Sequence, residues 1–126
     1  MKTVQDLVTL AKQHIREIEL KDADKAIREA DALIDVREAD EFNAGHIPGA
    51  INIPRGLLEF KLSSDPELGK RDLKLVLYCK TSGRAALAGS ALKEMGYLHV
   101  MSIVGGFDAW SAKGKAIDLP RLPAFG

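Results

Sequence analysis

The stretch Lys74-Leu-Val-Leu-Tyr-Cys79 limits the fold more than any other. It is an apolar run of strand length that stops at Lys80-Thr-Ser-Gly83, and the residues from about Arg84 to Met95 are rich in Ala and Leu. That pattern predicts a strand, a tight turn and a helix, with Gly96 ending the helix. The same alternation recurs along the chain. Ala32-Leu-Ile-Asp-Val36 is a second apolar run ending in charge, as expected of a strand buried in a parallel sheet. Shorter strands are predicted at Ile18–Leu20, Ile51–Ile53 and His99–Ile103. Between them fall helices at about 22–30 capped by Asp22, 39–44 ended by Gly45, 55–62 opened by Pro54, and 107–113 following Gly105-Gly106. An N-terminal helix is predicted over 3–15, with Thr3 as its cap and Asp6 three residues on. Strands alternating with helices specify an α/β fold with a mostly parallel sheet.

A length of 126 residues predicts one domain over 1–126, large enough to fold without disulfide or metal staples. Its core is expected over about 17–113, with an extended surface tail at 114–126. Eighteen basic and eighteen acidic side chains balance, which argues against nucleic acid as a partner. The longest stretches without a charge, Phe42–Pro54 and Met95–Phe107, are too short and too glycine-rich for a membrane span. Asp6 interrupts the start before an apolar run forms, so no signal peptide is expected there. A single cysteine excludes an internal disulfide, a CxxC pair and a multi-cysteine zinc site. These features together predict a reducing cytoplasm, where a free thiol persists.

Ligands of parallel sheets bind at the carboxyl ends of strands, where a turn meets a helix N-terminus. Cys79 stands there, in the pattern C-x4-R: Cys79-Lys80-Thr81-Ser82-Gly83-Arg84. A lone cysteine is most often a small buried hydrophobe. This one ends its strand facing a basic, Gly-containing loop. Such a loop can turn successive N–H groups inward as an anion-binding nest, and the following helix adds partial positive charge. Lys80 and Arg84 add formal charge if they lie near, and all three effects favour the nucleophilic thiolate.

The residues that carry the site also carry a family resemblance. Leu33-Ile-Asp-Val-Arg-Glu38 continues through Glu41-Phe42 to Gly45-His-Ile-Pro-Gly-Ala-Ile-Asn-Ile-Pro54; then come Tyr78-Cys-Lys-Thr-Ser-Gly-Arg84 and Gly105-Gly-Phe-Asp-Ala-Trp110. In that order these blocks resemble the single-domain rhodaneses, members of the rhodanese-like sulfurtransferases. The resemblance covers about Glu17 to Trp110, leaving out the N-terminal helix and the tail. It implies a three-layer fold around a five-stranded, mostly parallel sheet, and sulfur transfer through a persulfide on Cys79 with no cofactor. The active-site loop Lys80, Thr81, Ser82, Gly83 and Arg84 would bind the substrate, and Asp35 and Arg37 would support the site's architecture. The expected donor is thiosulfate or a persulfide, and the expected acceptor is cyanide or a thiol such as glutathione or thioredoxin. The chain departs from the family at Ser82, where Gly is usual, and at Ala85, where Ser or Thr is frequent.

Two other classes compete. Cysteine phosphatases and arsenate reductases resemble C-x5-R, a larger loop sized for a tetrahedral oxyanion; four intervening residues suit a single sulfur atom better. A persulfide carrier or non-catalytic module docked to a partner would share the fold, and an intact basic loop around Cys79 argues only against the non-catalytic version. His46 falls in the Gly45–Gly49 turn and is read as structural; His14 and His99 are read as surface or packing residues. No pair of histidines has metal-ligand spacing, so no metal is expected.

Overall fold

Side-chain alternation along the central strands divides the molecule into layers. In the computed structural model, which describes residues 1–120, β4 (Lys74–Tyr78) sends Leu75 and Leu77 to one face and Val76 and Tyr78 to the other. β2 (Ala32–Asp35) does the same with Ile34 and Leu33. The first face packs against α4 (Leu58–Ser64) and α5 (Gly83–Glu94), the second against α2 (Leu20–Glu29) and α6 (Gly106–Ala112). With β1 (Arg16–Ile18), β3 (Ile51–Asn52) and β5 (His99–Ile103), the five strands form a parallel sheet in the order β1-β5-β4-β2-β3. Cys79, one residue past β4, keeps the parity of Leu75 and Leu77 and joins the core on the α5 face.

The extra helix α1 (Val4–Lys12) sits on α5 through Val8, Ala11 and Ala86. Thr3 and Asp6 close the predicted capping box, but the helix stops three residues short of the expected 15. Ile15 leaves it to pack on Gly89 of α5, where an added Cβ would lie only 3.1 Å from the Ile15 Cγ2. β1 lies two residues earlier than predicted because Leu20 is drawn into α2, where it packs in the core with Ala23, Ala26 and Ile27. α2 therefore starts before Asp22, with Glu19 rather than Asp22 at its cap. The predicted helix at 55–62 is a 3-10 turn, Arg55–Leu57, running into α4.

The tail is less free than its prolines suggest. Asp118 exchanges both backbone hydrogen bonds with His46, and the Trp110 Nε1–H donates to the Ala116 carbonyl at 2.7 Å. The last six residues of the predicted extended tail, 121–126, lie outside the described residues. No helix among the described residues is long and apolar enough to cross a membrane.

Candidate active site

The Cys79 loop is shaped from below by α6. Phe107 N–H donates to the Cys79 carbonyl at 2.8 Å, and Asp108 N–H to the Lys80 carbonyl at 3.0 Å. Gly106, at φ +54°, lets the backbones meet: a Cβ there would lie 2.3 Å from the Cys79 oxygen and 2.5 Å from that of Thr81. The glycine thus lets the start of α6 approach the underside of this loop. A trans peptide points its C=O and N–H in opposite directions. With the carbonyls of Cys79, Lys80 and Thr81 turned to α6, the N–H groups of Lys80, Thr81 and Ser82 face away from it. Among the described residues, the N–H groups of 80–84 donate to no protein acceptor. The next N–H, on Ala85, points at Cys79 Sγ from 3.4 Å. The thiol is 1% exposed. At the start of a 12-residue helix, this array of N–H groups adds the positive end of a helix dipole.

The loop's two cations are both engaged. Arg84 forms a fork with Glu41 of α3 (Ala39–Asn43), at 2.7 and 3.0 Å. Hydrogen bonds from Arg84 hold the Glu41 carboxyl down at about 2, helped by the Glu38 N–H. Arg84 is pushed up in turn, chiefly by its hydrogen bonds to Glu41. Lys80, exposed, pairs with Asp108 at 2.8 Å. The positive pocket read from sequence is therefore a set of ion pairs, and the unpaired positive character belongs to the backbone. Thr81 is exposed, and Ser82 caps α5 without a side-chain capping bond. Gly83 opens α5 against Val8 of α1.

Asp35 and Arg37 lie at the end of β2 and, among the described residues, form no hydrogen bond to the sulfur. Their buried pair is bidentate, with Arg37 Nη2 2.8 Å from Asp35 Oδ2. The same guanidinium donates to the Gly45 carbonyl at 2.7 Å and stacks 4.3 Å from the centre of the Phe107 ring. Since Phe107 N–H holds the Cys79 carbonyl, the pair braces the loop through α6. Asn52 ties the Asp35 and Arg37 carbonyls to β3, and the Ile47 N–H donates to the Tyr78 hydroxyl. Burial and the nearby Asp35 carboxylate raise the Tyr78 phenol far above its ordinary range. His46 is buried, stacks on Phe42 and bonds the Phe42 carbonyl through Nδ1. Among the described residues, no group of three or more His, Cys, Asp or Glu converges as a metal would require.

Four participants escaped the sequence reading. Glu41 and Asp108 lay inside quoted motifs, yet no spacing signals which cation each would meet across 43 or 28 residues. Phe107 read as the start of a helix, and Lys12, whose Nζ lies 2.9 Å from Ser82 Oγ, read only as part of the N-terminal helix.

Comparison with known proteins agrees with this geometry. The family model for the rhodanese-like domain matches residues 19–113. A sulfurtransferase of Allochromatium vinosum is 33% identical over 71% of this chain and 79% of its own. A Bacillus subtilis relative is 39% identical over 67% of this chain, which spans 64% of that protein's length. A solved Rhodopseudomonas palustris structure, described as a protein of unknown function and possible tyrosine phosphatase, is 30% identical. It superposes with a TM-score of 0.86 over 94% of this chain and 96% of its own. The human single-domain sulfurtransferase is 29% identical, with a TM-score of 0.71 over 77% and 96% of the two chains.

Proposed function

The chain belongs to the rhodanese-like domain family, and on that premise we propose that it transfers a sulfane sulfur through a persulfide on Cys79. The observation that carries the reading is the sulfur's setting: Ala85 N–H aimed at Sγ, above a loop whose carbonyls are drawn away by α6. In the first step the Cys79 thiolate attacks the terminal sulfur of the donor. A sulfur–sulfur bond forms, and with thiosulfate the bond to the sulfonate breaks, its electron pair leaving as sulfite. In the second step an acceptor nucleophile, cyanide or a thiolate, takes the outer sulfur and returns the electron pair to Cys79. The covalent intermediate implies ping-pong kinetics. The loop N–H groups stabilise the anionic outer sulfur as an oxyanion hole stabilises oxygen. No second thiol exists in the chain to resolve the persulfide, so release depends on an external acceptor. A thiol that must stay reduced suits a cytoplasmic setting, with a thioredoxin-like or sulfur-relay protein as acceptor.

A second reading, a persulfide relay component, is favoured by the pairing of Lys80 with Asp108 and Arg84 with Glu41. That pairing leaves little free charge to gather a dianion such as thiosulfate from solution. Single-turnover loading separates the two: the free-standing enzyme loads rapidly from thiosulfate, whereas the relay component loads faster from a protein persulfide. Hydrolysis of an aryl phosphate that disappears in Cys79→Ser would overturn both.

A further inference from the structure

We infer that Lys12, on a helix outside the family match, is a positioning residue for the sulfur site: it holds the Ser82 hydroxyl away from the Ala85 N–H and so reserves that donor for Cys79. The inference rests on the reading of Cys79 as the sulfur carrier. A serine at a helix N-cap ordinarily accepts a hydrogen bond from the N–H two or three residues into the helix. For α5 the third of these is Ala85. Thr3 does this ordinary job for α1, accepting from Asp6 N–H at 3.1 Å with an extended backbone at ψ 168°. Ser82 does not: its ψ is −15°, it makes no capping bond, and its hydroxyl accepts from Lys12 Nζ at 2.9 Å. Ala85 N–H goes instead to Cys79 Sγ at 3.4 Å.

One N–H cannot serve two acceptors well, and a hydroxyl oxygen is a stronger acceptor than a thiol sulfur. The outcome therefore depends on what else claims the hydroxyl. Lys12 is placed to claim it from two directions. Its helix is fixed on α5 by Val8 and Ala11 against Ala86, with Val8 against Gly83. Its ammonium lies 3.6 Å from Glu17 Oε2, on the strand that pairs Glu17 with Ser102 of β5. Ser82, one of the two departures from the family pattern, and α1, the segment outside the family match, are thus two parts of one device. The Ala85 N–H bears most on the second step, where Cys79 leaves as a thiolate and gains from a donor aimed at it.

A double-mutant cycle with Lys12→Met and Ser82→Ala tests this, read by acceptor-dependent sulfur release from loaded protein and by Cys79 alkylation with iodoacetamide in unloaded protein. Lys12→Met is expected to slow both by about two- to tenfold, the range of one hydrogen bond. Lys12→Arg should restore most of the loss, and in the Ser82→Ala background Lys12→Met should have no further effect. Equal losses in both backgrounds, the result if Lys12 acts only by charge or helix packing, overturn the inference, as does no loss at all. If no donor loads Cys79, the proposed function fails while the alkylation cycle still decides the role of Lys12.

Discussion

The carboxyl ends of β2 and β4 lie side by side, yet they hold their charges in opposite ways. At β2, Asp35 and Arg37 are buried, bidentate and further bonded to Gly45, and their contacts run to the backbone of the turn and to Phe107. At β4, the charges of Arg84 and Lys80 stay partly in solvent, and the buried element is the sulfur itself. The first arrangement is architecture, since a buried bidentate pair, tied also to the Gly45 carbonyl, fixes geometry. In the proposed reaction, the second leaves the sulfur to backbone N–H groups, with ion pairs close by. Charge alone does not identify the reacting end of a sheet; its degree of burial and its partner do.

The largest test of that contrast is Asp35→Ala, which strands Arg37 as an unpaired buried cation. A loss of about 3–5 kcal/mol in chemical denaturation is expected, and a loss under about 1 kcal/mol would mean that the pair is not the brace described. Next is Gly106→Ala, which puts a methyl group against the Cys79 and Thr81 carbonyls at positive φ. Strain of about 1–3 kcal/mol is expected in the melt, with a larger proportional fall in sulfur transfer because the loop must shift. Unchanged transfer would separate α6 from the loop's shape.

Glu41→Gln should act more gently, by about 1 kcal/mol or less. Its acid dependence has a definite sign. Glu41 titrates at about 2 when folded against an ordinary 4.5, so its stabilisation is complete above pH 4.5 and disappears as pH falls toward 2. The difference between wild type and variant should shrink over that window. The same change frees Arg84, so KM for thiosulfate should fall; a rise would mean that the pair, rather than the free cation, receives the donor. Smallest is Lys80→Ala, within about 0.5 kcal/mol in stability, because its pair with Asp108 is solvated.

The fold was legible wherever periodicity was strong. β4, β5 and α5 stand within a residue of the expected limits, since their apolar runs and glycine stops are local signals. β1 shifted because Leu20 can serve a strand or the first turn of α2, and only packing decides. In the site, the chain order placed Cys79, its loop and the Asp35–Arg37 brace together, but the partners of the two loop cations come from distant elements. The destination of the Ser82 hydroxyl was hidden for the same reason: local rules direct it to Ala85, and a lysine 70 residues away takes it.

A sulfur carried by Cys79 is tested most directly by intact-protein mass spectrometry after brief exposure to thiosulfate or a persulfide donor. One added sulfur atom on wild type, absent from Cys79→Ser and removed by cyanide or a thiol, is the predicted result. Wild-type protein that gains no sulfur from any of these donors would contradict it.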